Sequence, residues 1–398
     1  DVLSATTDML GSSTSPYQPF YAALCDGAPR DVKKDGDATI SRLRNETYEI
    51  ISLRIRALML LTRHSDLKKE IQRLQLMDKD YVPFSLRILS AKSLHHFASP
   101  SQCLDTLYSL CGSSSSNTAK IQTLSIISDV FIAQDEYRLA LHSLDEILVM
   151  LREDAIFPEI SALAEAKGAL ETFGADENGA VADVANGHFC SALLAASRIE
   201  ILSRQGRILM QTGALKEAST IFQYAQDEIP PILSALNAAN KSSVIRNILS
   251  GVTIIHQAPK QLIVNEGILL FADGEYALAM DKFRAVMEAQ RQESKLQTHG
   301  TTGQLENWLT VNDSLIPPAL NNMALCALYT CQLEKAISLL ESLVRENPSR
   351  YLTQELAFNL CTMYELGSDV GGRRKRVLQL IAKRFSLHDV PQASFRSN

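Results

Sequence analysis

Histidines and cysteines are the side chains in this 398-residue sequence best suited to bind a metal ion. His95 and His96 are adjacent, so on a helix they would point about 100° apart and could not share one ion. Cys326 and Cys331 lie five residues apart and have no second cysteine pair nearby, which is a poor match to zinc sites. We therefore expect no bound metal and no other cofactor.

Sequence motifs of nucleotide-binding and hydrolytic enzymes are missing from the chain. It contains no GxxxxGK[ST] loop, no GxGxxG following a strand pattern, no GxSxG elbow and no HExxH pair. Most Asp and Glu residues fall on predicted helix surfaces or in turns, where a solvated charge needs no catalytic explanation. The sequence favours a binding protein, with an enzyme of unrecognised type as a weaker alternative.

Composition narrows the class of protein further. A formal net charge of -6 argues against a primary nucleic-acid binder. Seven scattered cysteines fit a reducing cytosol better than a disulfide framework. We expect no signal peptide, because the first residues lack a basic and an apolar region, and no membrane span, because no long uncharged apolar run occurs.

One short run, Arg373–Arg376, is strongly basic. It could form a nuclear localisation signal or a patch for anionic lipid. The alternative is a solvated face at the start of a terminal helix that follows Gly371 and Gly372. We favour the solvated face.

Two segments of the chain repeat the same residue types at the same five positions. The positions are Gly206, Leu209, Gly213, Ala218 and Phe222 in the first segment, and Gly267, Leu270, Gly274, Ala279 and Phe283 in the second. This spacing is typical of the 34-residue tetratricopeptide repeat (TPR), a hairpin of two helices. Further copies fit at 84–117, 121–154 and 317–350, and degenerate copies at 50–83 and 351–384. A generic helical bundle is the alternative.

The spacing has a physical reason in each hairpin. A glycine at position 8 lets the two helices cross closely, and the aromatic residue at position 24 fills the remaining space. Glycine at position 15 makes the turn, where a positive φ is tolerated. We expect Gly267→Leu to destabilise the hairpin and Gly267→Ala to be tolerated.

The predicted fold is therefore an all-α, TPR-type α-solenoid of helix hairpins. We expect a loosely ordered N-terminal arm at 1–37, helical repeats at 38–154 and an acidic linker at 155–190. A C-terminal TPR array with a degenerate capping repeat should occupy 191–398. Within that array, the polar segment 291–314 is interpreted as an inserted loop.

First helices of such an array line its concave surface, and here that lining is largely apolar. The candidate protein-binding residues are Ile268, Phe271, Asn321, Leu325, Leu328 and Tyr329. A contiguous apolar stripe usually marks a protein interface, although segments of the same chain could cover it instead. The lysine and asparagine that hold a terminal carboxylate in chaperone adaptors are missing, since Ser203 and Arg207 stand at one such pair of positions.

Several motifs resemble one family in particular. They are the stretches at 82–89, 321–326 with Tyr329, 347–352 and 358–366. These stretches resemble the C-terminal TPR region of subunit twelve of the TRAPP vesicle-tethering complex. The resemblance runs in order over residues 45–385, and the segment from Phe358 to Leu366 is not required by the repeat pattern.

The resemblance implies a non-catalytic scaffold subunit of the TRAPP III complex, which acts in ER-to-Golgi transport and autophagy. It implies other TRAPP subunits as partners, most of all the large solenoid subunits of the peripheral arm, and an indirect link to a Rab GTPase. It also implies a cytoplasmic protein that reaches ER–Golgi intermediate and Golgi membranes only through the complex. The alternative is a TPR peptide receptor or adaptor that binds an extended client segment in its groove.

Overall fold

The computed structural model of the chain is all-helical wherever it describes the residues. It describes residues 2–12, 14–25, 38–76, 81–152, 156, 158–160, 179–241, 249, 252–296, 315–367, 371–385, 387 and 390–395. Within these ranges there is no strand. The chain divides into two compact units: unit 1 comprises Asp1–Ser113 with Leu380–Pro391, and unit 2 comprises Ser114–Gln379 with Gln392–Asn398.

Unit 1 begins with six described α-helices. They are α1 (Val2–Gly11), α2 (Gln18–Cys25), α3 (Ala38–Leu60), α4 (His64–Leu74), α5 (Phe84–Ser93) and α6 (Pro100–Ser113), with a 3-10 turn at Leu94–His96 before α6. The longest of them, α3, packs against α1, α2, α4 and α5. Ile51, Ile55 and Leu58 on α3 are fully buried, so this helix forms the centre of the unit 1 core.

The first 25 residues differ from the expectation of a loosely ordered arm at 1–37. They form α1 and α2, and bury Leu3, Leu10, Tyr21 and Leu24 in the core of unit 1. Burial of these apolar side chains stabilises segments whose Ser- and Pro-rich composition disfavours helix. Residues 26–37 lie outside the described part of the chain.

A buried carboxylate, Glu70 on α4, connects the helices of unit 1. It accepts a hydrogen bond from the Tyr21 hydroxyl at 2.6 Å and one from the Arg54 Nε at 3.2 Å. Arg54 also donates to the Thr7 hydroxyl at 2.6 Å, and the Arg73 guanidinium lies 5.1 Å from the centre of the Tyr21 ring. Four helices thus meet in one hydrogen-bonded network.

Unit 2 is built from consecutive helix hairpins. Its helices are α7 (Asn117–Ile132), α8 (Tyr137–Met150), α9 (Gly179–Gln211), α10 (Leu215–Asp227), α11 (Pro230–Lys241), α12 (Thr253–Ala272), α13 (Tyr276–Leu296), α14 (Ile316–Tyr329), α15 (Leu333–Glu346), α16 (Pro348–Tyr351), α17 (Gln354–Gly367) and α18 (Gly371–Arg384), the last of which ends in unit 1. Helices α7 and α8, α9 and α10, α12 and α13, and α14 and α15 pack as pairs, and α9 packs on α12, α13 on α14 and α15 on α17. The prediction of an all-α solenoid of helix hairpins is confirmed.

Close helix crossings occur at both glycines of repeat position 8. A Cβ atom on Gly267 would lie 2.7 Å from Cε1 of the fully buried Phe283, and one on Gly206 would lie even closer to Phe222. Real carbon atoms do not approach so closely, so even a methyl group would force the phenylalanine ring to move. The expectation that alanine is tolerated at Gly267 is therefore corrected, because the ring occupies the space that the glycine leaves.

The turns between paired helices also follow the repeat. Gly213 and Gly274 have φ angles of +80° and +83°, as expected at position 15. Asp135 and Cys331 occupy the equivalent turns with φ angles of +60°, a region that side chains other than glycine rarely adopt. The same turn geometry thus occurs with and without glycine. It is conformationally less favourable in the hairpins that have Asp135 or Cys331 at this position.

Two predicted connecting segments contain more helix than the sequence indicated. The acidic linker at 155–190 overlaps α9, which already begins at Gly179. The inserted loop predicted at 291–314 overlaps α13, which continues to Leu296. Residues 161–178 and 297–314, including Trp308, lie outside the described residues.

Glu159, which also falls in the predicted linker, caps the first helix of unit 2. Its carboxylate accepts hydrogen bonds from the backbone N–H of Asn117 at 2.8 Å and of Thr118 at 3.0 Å, and from the Ser116 hydroxyl at 2.9 Å. Burial alone would raise the pKa of Glu159, but these hydrogen bonds outweigh it and lower the pKa. A negative charge at a helix N-terminus is also favoured by the helix dipole.

Candidate functional site

The six predicted groove residues lie on two first helices, α12 and α14. Ile268 and Phe271 of α12 and Leu325 of α14 line one cavity of about 550 Å³ in unit 2. All three are partly exposed, so they face accessible space and not the centre of the core. The structure therefore brings together three of the predicted residues around one opening; whether a partner occupies it stays a prediction.

Phe271 and Tyr329 belong to an aromatic cluster with Tyr276. The Phe271 ring lies 5.3 Å from each tyrosine ring, edge-on, and the two tyrosine rings are stacked with centroids 5.2 Å apart. Tyr329 is 59% exposed although its ring is held by two neighbours. Aromatic side chains that are both fixed and accessible lose little conformational entropy on binding, which favours contact with another protein.

The other two candidates lie in different surroundings. Asn321 accepts a hydrogen bond from the Asn359 Nδ2 at 2.8 Å, so part of its amide connects α14 to α17. Leu328 is half-buried and does not line the cavity. Residue spacing placed both side chains on the correct helix but did not resolve which neighbours they contact.

Sequence reasoning missed Tyr276, the third member of the aromatic cluster. It is the first residue of α13 and follows the turn at Gly274. An available signal was the similar turn at Asp135-Glu136-Tyr137, which also places a tyrosine at the start of a second helix. Tyr276 contacts both Phe271 of α12 and Tyr329 of α14.

The lining of the cavity combines apolar side chains with primary amides and charges. It consists of Glu200, Arg207, Met210, Gln211, Gln257, Gln261, Val264, Ile268, Phe271, Phe283, Leu315, Pro318, Asn322, Leu325 and Glu355. Ligand sites commonly have such a composition, in which apolar walls carry a few polar groups that fix orientation. Four of the lining residues carry a primary amide, and of these only Gln261 is at a groove position that the repeat pattern predicts.

Two buried glutamines of α12 differ in how their amides are paired. Gln261 donates to the Asn265 Oδ1 at 3.0 Å, and Asn265 donates in turn to the Ser203 hydroxyl of α9 at 2.7 Å. Gln257 is only 4% exposed, and neither its Nε2 nor its Oε1 has a hydrogen-bond partner among the described residues. A buried amide without a partner is unfavourable, which makes Gln257 the most unusual side chain of the cavity.

Two of the charged residues at the cavity, Glu200 and Arg207, belong to a cluster on α9. Arg204 donates to Glu200 at 2.8 Å and to the Ser125 hydroxyl at 3.0 Å, and lies 3.4 Å from Asp129. Burial alone would lower the pKa of Arg204, but Glu200 and Asp129 outweigh it and raise the pKa. Glu200 is thus already bound by one well-paired arginine.

The second arginine of this cluster, Arg207, is less well paired. Its guanidinium lies 3.8 Å from Glu200, beyond hydrogen-bond distance. Burial lowers the pKa of Arg207, and the Arg204 charge lowers it further, while Glu200 opposes the shift. In the sequence, Arg207 stands out only as a departure from the carboxylate-clamp pattern, whereas the structure places it at the cavity.

Reactive cysteine chemistry finds no support at Cys326 and Cys361, two of the buried cysteines. Burial raises the pKa of Cys326 and of Cys361 to about 11, so both thiols are protonated near neutral pH. Cys331 is exposed and lies at a turn with positive φ. All seven cysteines lie among the described residues, and none of them forms a disulfide.

A third histidine, His64, lies beside the adjacent residues His95 and His96. His96 stacks on His64 with ring centroids 5.4 Å apart, and His95 lies edge-on at 6.0 Å from His96. Burial lowers the pKa of His96, and His64, His95 and Lys92 lower it further. Among the described residues, no group of three or more His, Cys, Asp or Glu side chains could hold a metal ion.

The basic run at the start of α18 is mostly a solvated face. Arg373, Arg374 and Arg376 are exposed, and the Arg374 guanidinium lies 5.5 Å from the centre of the Tyr364 ring. Lys375 is instead buried and pairs with Glu365. One cation of the run therefore contributes to packing.

None of the described helices combines the length and the apolar composition that a membrane span requires.

Comparison with known proteins finds partial similarity to one kind of protein. Over 186 residues, 46% of this chain, the sequence is 25% identical to trafficking protein particle complex subunit 12 of Mus musculus. Over 60 residues, 15% of this chain, it is 42% identical to the Homo sapiens protein of the same name. Part of this chain is therefore related to part of these proteins.

The matched region is a small part of each relative. The matched region covers 18% of the length of the mouse protein and 8% of the human one. No protein-family model matches the chain. The similarity and the stacked helix hairpins both favour a scaffold over an enzyme.

Proposed function

We propose that this chain is a non-catalytic scaffold subunit of the TRAPP III tethering and Rab-activating complex. The observation that carries the proposal is the similarity to trafficking protein particle complex subunit 12 over 46% of the chain. Stacked helix hairpins offer a long surface for protein contacts. The accessible aromatic cluster of Phe271, Tyr276 and Tyr329 provides a site where such a contact could gain much of its free energy.

The partners in this proposal are other TRAPP subunits, in particular the large solenoid subunits of the peripheral arm. The link to a Rab GTPase is indirect, through the complex. The chain acts in ER-to-Golgi transport and autophagy, in the cytoplasm and at ER–Golgi intermediate and Golgi membranes. Its membrane association depends on the complex.

Affinity purification of the tagged chain from cells, followed by mass spectrometry, tests the proposal. We expect TRAPP subunits to co-purify with the wild-type chain. A double variant, Phe271→Glu with Tyr329→Glu, should lose them because it places unpaired charges in an apolar contact. Tyr224→Glu is the matched control, since Tyr224 is 52% exposed on α10 and outside the aromatic cluster.

The melting temperature of the double variant decides how the result is interpreted. Lost co-purification at an unchanged melting temperature supports a partner site at the aromatic cluster. A large fall in melting temperature would mean that the cluster belongs to the core. If neither quantity changed, the partner site would lie elsewhere, and a wild-type chain that recovers no TRAPP subunit would contradict the proposed function.

The absence of catalysis is part of the proposal and has its own test. The purified chain alone should neither hydrolyse nucleotides nor accelerate nucleotide release from a Rab protein. Release rates are measured with a fluorescent guanine nucleotide, with and without the chain. Acceleration that persists through further purification would overturn the scaffold function.

A peptide receptor or adaptor that binds an extended client segment is the second candidate. The observation in its favour is the cavity with its unpartnered buried amide, Gln257. In the affinity purification, this function predicts many unrelated client proteins and no enrichment of TRAPP subunits.

A further inference from the structure

Gln257 carries an unsatisfied buried amide at the cavity. Its side chain is more than nine-tenths buried, it lines the cavity, and both polar atoms lack a hydrogen-bond partner among the described residues. In native proteins, nearly all buried polar groups are hydrogen-bonded, and exceptions call for an explanation. A ligand in the cavity that pairs with this amide would provide one.

Primary amides select for a particular kind of ligand. An amide offers one acceptor and one donor group side by side, as a peptide unit does, so the two are complementary. Gln211, Gln261 and Asn322 line the same cavity, which places several such groups around one space. The main chain of an extended polypeptide presents a matching succession of N–H and C=O groups.

The apolar wall sets the type and size of side chain. Ile268, Phe283 and Leu325 line the cavity, and its volume of about 550 Å³ falls within the range usual for ligand sites, roughly 300–1,000 Å³. That volume suits a short segment with one or two inserted side chains. An aliphatic or aromatic side chain would bury its apolar surface there at no cost in unpaired polar groups.

Arg207 adds a preference for charge. Glu200 already pairs with Arg204 at 2.8 Å, whereas Arg207 lies 3.8 Å from the same carboxylate. A carboxylate supplied by a ligand could bind this guanidinium with both oxygens. Glu355, contributed to the lining by α17, disfavours a ligand that carries several acidic groups.

We infer that this cavity binds an extended polypeptide segment of a partner that carries an apolar side chain next to a single carboxylate. The apolar side chain lies against Ile268 and Leu325, a peptide unit pairs with Gln257, and the carboxylate binds Arg207. The inference deepens the proposed function, because it rests on this surface being a protein-binding groove, and it specifies the chemistry of the segment that the groove receives.

A peptide library tests the inference on the purified chain. The probe is a positional-scanning library of N-acetylated, C-amidated heptapeptides, and fluorescence polarisation then measures the affinity of the selected peptide. We expect selection of Leu, Ile, Phe or Met at one position and of Asp or Glu near it. An absence of selection, whether the cavity is empty or filled by this chain or a second copy, overturns the inference.

Three variants locate the binding and separate it from folding. Gln257→Leu should weaken the selected peptide by about tenfold, the loss of a buried hydrogen bond to the ligand, while the melting temperature stays the same or rises. Arg207→Gln should remove the acidic preference and keep the apolar one. Gln223→Leu, at an exposed glutamine of α10, is the matched control and should leave the affinity unchanged.

Unchanged affinity in Gln257→Leu would place the peptide elsewhere and overturn the inference. A fall in the melting temperature of that variant would assign Gln257 a structural role and contradict it as well. The result is independent of the affinity purification in cells: recovery of TRAPP subunits without peptide selection leaves the proposed function standing alone. Peptide selection without recovery of TRAPP subunits supports the inference about the cavity and contradicts the proposed membership of the TRAPP complex.

Discussion

Units 1 and 2 are both helical, but the close glycine–phenylalanine crossings described above all lie in unit 2. In unit 2, a glycine and a phenylalanine sixteen residues apart meet in the same way in two hairpins, as Gly206 with Phe222 and Gly267 with Phe283. In unit 1, the central contacts join side chains that follow no repeat, such as Tyr21 and Glu70. A repeated contact is visible in a sequence, whereas a single one is not.

The comparison has an energetic counterpart. A close backbone crossing fails when any side chain is added, because the neighbouring ring has no free space. A polar network is destabilised when one member loses its charge or its acceptor, since the remaining buried groups are then left unpaired. The following predictions separate these two kinds of stabilisation, in order of decreasing effect.

Gly267→Leu should have the largest effect. Its side chain would collide with Phe283, and we expect the free energy of unfolding to fall by about 3 kcal/mol, as for an overpacked core. Hydrogen exchange measured by mass spectrometry should show the loss of protection in α12 and α13. Gly187→Ala is the control: Gly187 is exposed in α9 with nothing near its Cβ position, so alanine there should stabilise by about 0.5–1 kcal/mol.

Gly267→Ala sharpens the same point, because it adds only a methyl group. We expect it to lower the melting temperature, in contrast to Gly187→Ala. Equal melting temperatures for the two alanine variants would mean that the Phe283 ring moves at little cost, and position 8 would not limit the packing of the hairpin.

Glu70→Gln should come next and act in unit 1. The amide keeps an acceptor for Tyr21 but leaves the largely buried Arg54 without its ion-pair partner, so we expect a loss of about 2 kcal/mol. Chemical denaturation measures the total, and hydrogen exchange should locate the change in α1 to α4. Glu49→Gln, at an exposed position of α3, should have no measurable effect.

Glu159→Gln should cost less, about 1 kcal/mol, through the weaker cap of α7. The pKa of Glu159 is lower in the folded chain than in the unfolded one, so its contribution is complete above the ordinary pKa of a glutamate. The contribution is lost as the pH falls through the folded pKa. In an acid titration of unfolding free energy, the variant should approach the wild type at low pH, and a constant difference would contradict the assigned cap.

The smallest predicted effect concerns pH and the histidines of unit 1. The pKa of His96 is lowered by burial, so the unfolded chain takes up a proton first as the pH falls through the ordinary histidine pKa of about 6.5. The contribution of neutral His96 to the free energy of unfolding is therefore fully present above that pH. It decreases below that pH, until His96 of the folded chain is protonated as well. Exchange in α4 and α5 should accelerate over this range, less so in His96→Phe. His142→Phe, at a surface residue of α8 in unit 2, is the control and should leave exchange in α4 and α5 as in the wild type.

The repeats of unit 2 were predictable because each depends on a few side chains at fixed spacing. Gly213 and Gly274 were expected to have positive φ and do, and Ile268, Phe271 and Leu325 were expected on one surface and share a cavity. The spacing of residues did not predict the environment of single side chains. Alanine at Gly267 was judged from helix propensity, but the distance to Phe283 decides the outcome.

Other features had no signal in the spacing of residues. Glu159 caps a helix that begins more than forty positions earlier, and His64 stacks on His96 from another helix. Gln257 differs from Gln261 only in its neighbours, since both are buried glutamines of one helix face. Such contacts depend on distances of a few ångströms between helices, which periodicity does not determine.

The hydrogen bonds from Gln261 through Asn265 to Ser203 have a consequence for the register of α12. An apolar helix face tolerates sliding, because Val, Ile and Leu side chains can exchange places along a groove at modest cost. A slide of α12 by one residue would rotate its side chains by about 100° and separate Asn265 from the fully buried Ser203. Two buried polar groups would then be orphaned at once. Those bonds therefore select one alignment of α12 on α9, and with it the residues that α12 contributes to the cavity.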